Sequence, residues 1–592
     1  MVFKYFGGVR TPLGSESEMF RNRLTGATSV VRRGTSAAAS LCTGFATPQE
    51  HASRLGALRG QAPELWRNVI DEAIQGDLLM SADDIHRRVV ARLQTSSERP
   101  RITHIAVPTR DRPDALDRLL TSLSGHLRSF GRQAEVVVMD DSKSELMQNA
   151  NQKTIAAFSG DSSLNISYGN IPSRCRFAGI LTERAAQSDD SATFALLGDP
   201  EYPVSVGACR NALLLETLGK CFLFMDDDVQ CRVAKLPNAT DSPLFTKDAF
   251  TGSFLLRRED VDGCEFVSED ILAAHEKTLS IDAALIRSLA PNELGDFSAV
   301  SRRFLKSSSE THGAVIIAMM GLVGDAGIDD PLPYFVQGPA TLHELARTEE
   351  LFQAALTNRT ITRGSRGLLL TDDMECMSYC MSVRPTSMLP PFSPVQRAEE
   401  LVFGAQLGRC LPGSLVAIIP RAVVHQPLPP REFEPRAALR RAGRFSTGEI
   451  LSALIRSLPV LGSSAEALFS SLGIVLSQLA EAEDIEFAEH VRQAVEPMLI
   501  NQIQQLQLAL EDASAKTALW FSDVSQIQAA CLASLQGRNL SVPIDLERLW
   551  GEEAAMRQFK NLVGRFAQLV LSWPKILEAT KDLHASGVRI CH

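Results

Sequence analysis

The sequence predicts an α/β protein, a mostly parallel sheet wrapped by helices, with an N-terminal extension and a C-terminal α-helical domain. Three observations predict it. From Arg101 onward short apolar runs of strand length alternate with amphipathic stretches of helix length, several of those runs stop on acids, and helical sequence lies on both sides of this central part. The chain accordingly divides into residues 1–100, 101–435 and 436–592.

Residues 1–100 hold a Gly/Ser/Ala/Arg-rich stretch, "RLTGATSVVRRGTSAAAS", which predicts a flexible start. Two helices are expected after it, in "APELWRNVIDEAIQGDLL" and in "SADDIHRRVVARLQ", the second capped by Ser81 with acids in its first turn. The central part reads as strand and helix in turn: "ITHIAVPT", "DALDRLLTSLSGHL", "AEVVVMDD", "GACRNALLLETLG", "CFLFMDDD". In parallel sheets chemistry collects where strands deliver their carboxyl ends. "PTRDR", "DD" and "DDD" all stand at such ends.

A later apolar run, "GAVIIAMMGLVGDAGIDD", predicts a buried strand and loop. Another, "LLLTDDMECMSYCMSV", ends on Asp372 and Asp373, which are expected to cap a following helix, the alternative being a second metal or acceptor site. After residue 436 a basic segment leads into long stretches with helical apolar spacing, suited to packing or self-association. Pro574 is expected to kink or break the last helix.

Composition narrows the function classes. At 592 residues, 45% hydrophobic and 22% charged, the chain can bury a large core. A net charge of −10, with bases scattered among acids, offers no field for nucleic acid. Eleven cysteines match neither a zinc nor a disulfide pattern and suit a reduced compartment. The first residues lack the apolar core of a signal peptide, and the run at 313–324 is too short to span a bilayer. A cytoplasmic location is expected, and a lipid-linked substrate met at a membrane surface is compatible with it.

The stretches "VPTRDRPDALDRLLTSL", "VVVMDDS", "GACRNALLLETLG" and "FLFMDDDV", in that order, resemble the GT-A glycosyltransferases, especially the family-2-like group that uses nucleotide-diphosphate sugars. The resemblance covers about residues 101–430 and implies a GT-A, Rossmann-like fold. It also implies transfer of a sugar from a nucleotide-diphosphate donor to an acceptor, most simply with inversion. The acceptor class stays open among saccharides, small molecules, peptides and lipid-linked molecules.

Each piece has a physical reading beside the one the resemblance implies. A carboxylate at the end of "EVVVM" can accept a base N–H, and the resemblance gives that role to Asp141. Read alone, Asp140-Asp141 is a strand-end turn. Pro108, Thr109 and Arg110 stand where the family lines its nucleotide pocket; Arg110 replaces the aromatic often found there and can stack on a base or reach a phosphate. Arg210 falls in the first turns of a helix, where the dipole already favours an anion, and the resemblance turns it toward the diphosphate.

The triplet reads as D-x-D. Asp226 and Asp228 would hold Mn²⁺ or Mg²⁺, and Asp227 would lie on the donor. His425, on a late β run, is the third metal ligand the resemblance implies. "LPPFSPVQRAEELVFGAQLG" predicts a helix capped by Ser393, with Pro394 first and Gln396 completing a capping box. Its Glu399 and Glu400 are the candidate bases for the acceptor hydroxyl.

Two other enzyme classes fit less well. A nucleotidyltransferase needs a Gly-rich phosphate loop after the first strand, and "VPTRDRPDAL" has no glycine. A haloacid-dehalogenase-type phosphatase needs Thr or Val four residues after its first Asp, where this chain has Gln230. The alternative of a different class is a non-catalytic nucleotide-sugar-binding or scaffold protein.

Overall fold

The computed structural model describes the chain apart from residues 23, 43, 92–98, 185–189, 247–248, 255–257, 282–285, 287, 290–292, 294, 296, 302–303, 306–312, 337–338, 387, 512–517 and 538. The last residues of the helix expected over 81–94 therefore lie outside the described residues.

A thirteen-stranded mixed sheet organises the described chain. Its main path runs Pro243–Leu244, Leu368–Thr371, Leu415–His425, Val315–Asp325, Cys380–Val383, Phe222–Met225, His104–Thr109, Ala134–Asp140, Leu164–Gly169. The last four of these are mutually parallel. The chain builds outward from His104–Thr109 to Ala134–Asp140 and Leu164–Gly169, then returns to place Phe222–Met225 on the other side of His104–Thr109. A reversal of this kind opens a crevice beyond the carboxyl ends of the two strands that flank it.

Cys380–Val383 runs antiparallel to Phe222–Met225 and to Val315–Asp325, so the latter points the same way as those four parallel strands. Leu415–His425 runs parallel to Val315–Asp325 and delivers His425 to the same rim as Asp226. All eleven residues of Val315–Asp325 are buried, as a strand covered on both faces requires, and the expected strand thus lies in the middle of the sheet.

Leu368–Thr371 runs antiparallel to Leu415–His425, so Asp372 and Asp373 emerge at the opposite rim. No helix follows them: the chain turns through 374–379 into the strand Cys380–Val383. Asp372 accepts instead from the Ser301 amide at 2.7 Å and from the Ser301 hydroxyl. The capping expectation is corrected, because a neighbouring segment satisfies the carboxylate first.

Residues 1–91 depart from the flexible start expected of them. Gly8–Leu13, Ser17–Asn22 and Thr28–Arg32 form an antiparallel meander, and Phe3–Tyr5 pairs with Leu79–Ser81. Phe20, Val31, Ile70 and Leu79 bury a small core of their own. The helix Ala82–Val90 is capped by Ser81 as expected, through Asp84 N–H at 3.1 Å.

Beyond residue 436 the described chain is helical, from Thr447–Ser457 to Glu552–Ala585. The last helix continues through Pro574, and Asp484–Glu511 continues through Pro497. Packing outweighs the lost backbone bond at Pro574: Trp573 is wholly buried and its Nε1–H donates to the Leu389 carbonyl at 2.7 Å. Phe559, Phe566 and Trp573 belong to the same continuous core as Val137 and Phe224 of the sheet. All eleven cysteines are free, and no described helix is long and apolar enough to cross a membrane.

Candidate active site

The strands His104–Thr109 and Phe222–Met225 flank the reversal in strand order, and their ends are joined by a hydrogen bond. Thr109 Oγ1–H donates to Asp227 Oδ2 at 2.8 Å, in a buried position. Asp226 opens the turn that follows the second strand, its N–H tied to the Tyr379 carbonyl and its carbonyl to Val229 N–H, each at 3.1 Å. This turn sends the three acids in different directions.

Asp228 faces His425, whose Nε2 stands 3.1 Å from Asp228 Oδ1. The other ring nitrogen, Nδ1, donates to the Asp325 carbonyl at 2.6 Å, so the ring's orientation is fixed from behind. Arg112 reaches both Asp227 and Asp228, at 3.1 and 3.4 Å, and Arg431 reaches Asp228 at 3.5 Å. Arg112 is the residue just before the helix Pro113–Ser129, which follows the first strand directly.

Asp226 turns the other way, to Arg210. The guanidinium of this wholly enclosed arginine reaches Asp226 Oδ1 at 3.2 Å, Glu399 Oε1 at 3.0 Å and Glu400 Oε1 at 3.5 Å. Arg210 thus stands in the helix Val206–Glu216 as expected, but three carboxylates hold it. Glu400 Oε1 also accepts from Ser378 N–H at 2.8 Å and from the Ser378 hydroxyl. A quarter of the Glu400 side chain stays exposed, against 7% for Glu399.

The helix bearing these two acids begins at Glu399, not at the expected Ser393 cap. Ser393 donates to the Val395 carbonyl, while Gln396 and Ala398 take left-handed φ values of 66° and 64°. Tertiary bonds override the local signal: Ala208 N–H takes the Pro394 carbonyl at 3.1 Å, and Gln396 N–H goes to Val204 at 3.0 Å. The contact is close enough that a Cβ on Gly207 would meet the Ser393 carbonyl oxygen at 1.7 Å and the Glu399 Cβ at 3.3 Å. Both acids consequently sit in the first turn of that helix.

On the other flank Asp141 is buried and already engaged. Arg174 donates to Oδ1 at 2.5 Å, Ser205 to Oδ2 at 2.7 Å, and Arg110 lies 3.9 Å from Oδ2. Arg110 itself is over a third exposed and also donates to the Pro203 carbonyl. Asp140 accepts from Ser142, Asn151 and Tyr168, at 2.8, 2.9 and 2.7 Å. Pro108 is buried within its strand.

These surroundings shift the titrations. Burial, reinforced by the charge of Asp228, raises Asp227 to about 7 despite Arg112 and Thr109. At Asp228 burial is outweighed by His425, Arg112 and Arg431, which hold the carboxyl well below its usual range. Burial would lower His425, but the Asp228 charge and hydrogen bond, with the Asp325 carbonyl, raise it to about 9. His425 is therefore an imidazolium at neutral pH, donating from both nitrogens. Burial raises Glu400 to about 7, with Glu399 and Asp226 adding to it and Arg210 opposing.

Among the described residues no three or more His, Cys, Asp and Glu side chains gather as a ready metal site. Asp228 and His425 form a pair, while Asp226 belongs to the Arg210 group. The sequence reading missed Arg112, Arg174 and Arg431, which neutralise the acids. "PTRDRP" contained Arg112 at the same strand end, and its position was the available signal. No protein-family model matches this chain, and no curated protein matches it.

Proposed function

We propose that the chain is a metal-dependent glycosyltransferase of the GT-A kind, moving a sugar from a nucleoside diphosphate to an acceptor hydroxyl with inversion. The observation that carries the reading is the Thr109–Asp227 hydrogen bond across the strand-order reversal, with the Asp228–His425 pair beside it. Such reversals are where open α/β sheets bind nucleotides.

Asp228 and His425 would hold a divalent ion once the ion displaces the proton between them, since one carboxylate and one back-supported imidazole point at each other. The nitrogen donor suits Mn²⁺ better than Mg²⁺, which prefers an all-oxygen shell. Asp226 joins them only by leaving Arg210. When bound, the ion offsets the charge that grows on the departing nucleoside diphosphate.

The protein's own groups do the rest. Asp141 and Arg110 face the nucleotide, with Arg174 and Ser205 fixing the Asp141 carboxylate. Arg210 offers a guanidinium to phosphate oxygens once an incoming anion competes with Asp226. Glu400 takes the acceptor proton on Oε2, because Ser378 occupies Oε1. A base that titrates near neutrality is well matched to that step.

The test is titration with UDP, GDP, ADP and CDP, with and without Mn²⁺, followed by turnover with the matching nucleotide sugars. Mn²⁺-dependent binding and release of the nucleoside diphosphate is the expected result. Release of pyrophosphate would assign a nucleotidyltransferase instead, and binding without turnover a nucleotide-sugar-binding protein.

A further inference from the structure

After the helix Glu552–Ala585 the chain turns back, and residues 588–592 reach from Glu216 to the edge strand Leu164–Gly169. His592 and Tyr168 exchange two backbone hydrogen bonds, at 3.1 and 3.2 Å, at that edge strand. Arg176 donates to the His592 ring. Ile590 N–H donates to Glu216 Oε2 at 2.9 Å, and Arg589 donates to the Glu216 carbonyl at 3.0 Å. Ile590 and Cys591 are buried, and a Cβ on Gly169 would meet Cys591 Sγ at 2.8 Å.

Three elements are gripped in this way, and each carries a partner of an acid in the candidate site. The strand Leu164–Gly169 carries Tyr168, whose hydroxyl donates to Asp140. The helix Ile171–Arg184 carries Arg174 to Asp141, two residues from the gripped Arg176. The helix Val206–Glu216 ends on the gripped Glu216 and carries Arg210 to Asp226 and Glu399.

We infer that residues 588–592 are a positioning segment for nucleotide binding: they fasten, from the far side, the three elements that aim Asp140, Asp141 and Asp226. The inference rests on the glycosyltransferase reading above. A segment that only covered a sheet edge would protect stability without touching ligand affinity. A segment that holds the acids' partners in register alters affinity for the nucleotide and spares the chemical step.

The experiment replaces residues 588–592 in the full chain by a Gly/Ser run of equal length, and separately makes His592→Ala and Tyr168→Phe. Affinity is measured for UDP, GDP, ADP and CDP with Mn²⁺, beside far-UV circular dichroism. The expected result is a fall in affinity of about five-fold or more, the usual size of coupling between linked sites. The rate at saturating donor changes by less than about two-fold, since the lost term is binding shared by ground and transition states. A synthetic peptide with the sequence of residues 587–592 restores affinity to the replaced chain. If that chain fails to fold, the two point variants give the same readout with the backbone pairing kept. Unchanged affinity, or a lowered melting temperature alone, overturns the inference while leaving the enzyme reading in place. Failure of the intact chain to bind any of the four nucleotides overturns that reading and the inference together.

Discussion

Asp226, Asp227 and Asp228 follow one buried strand, and Asp372 and Asp373 follow another, yet the two groups live in different electrostatic worlds. Phe222–Met225 points toward the rim that also receives Thr109, Asp141 and His425, so its acids meet an imidazolium and several arginines. Leu368–Thr371 runs the opposite way. Its Asp372 accepts from Ser301, and Asp373 forms an ion pair with the part-exposed Arg456 at 3.2 Å. Burial raises Asp372 too, and the two hydrogen bonds from Ser301 oppose it. Strand direction, more than the acids themselves, decides which rim each group reaches and which partners it meets.

The contrast can be broken in several ways. Glu400→Gln removes the proposed base, and turnover should fall by about a hundred- to ten-thousand-fold with nucleotide affinity kept. Asp228→Asn should cost about a hundred- to a thousand-fold in turnover and abolish the Mn²⁺ effect on nucleotide binding. Asp372→Asn should leave both within about two-fold and cost on the order of 1 kcal/mol of stability, read by urea unfolding. Equal effects of the last two substitutions would erase the distinction between the rims.

The pH behaviour sharpens it further. Glu400 must be ionised to accept a proton, so the rate should rise as pH passes about 7, and Glu400→Gln should remove that limb. In chelator, His425 carries its proton up to about 9 in the folded chain against an ordinary 6.5. A folded value raised in this sense gives stability that is whole below about pH 6.5 and lost as pH climbs through about 9. The melting temperature of the wild type should therefore exceed that of His425→Asn by the most at pH 6 and by little at pH 10. The smallest effect belongs to Asp373→Ala, whose exposed pair with Arg456 contributes at most about 1 kcal/mol.

Some of this was legible in the chain. The strand-end acids, the capped helix at Ser81 and the late β run that ends on His425 follow from apolar spacing and punctuation. Arg112, Arg174 and Arg431 were not legible as partners, because their acids become neighbours only through strand order and long-range return of the chain. The Ser393 cap that the local sequence predicts does not form, because bonds with Val204 and Ala208, about 190 residues away in sequence, hold that segment. The meander of residues 8–32 was legible but passed over: "GVRTPL", "SEMFRN" and "TSVVR" are separated by turn residues, and composition drew attention away from them.

Gly207 has a consequence for how the two halves of the site could be retuned. Its missing side chain lets the backbone of one helix touch the segment that launches the other, so the ion pairs between Arg210 and the two glutamates depend on that close approach. A single methyl placed there acts as a spacer. Gly207→Ala should part Arg210 from Glu399 and Glu400, and so loosen the charge that opposes the rise of Glu400, without adding or removing an ionisable group.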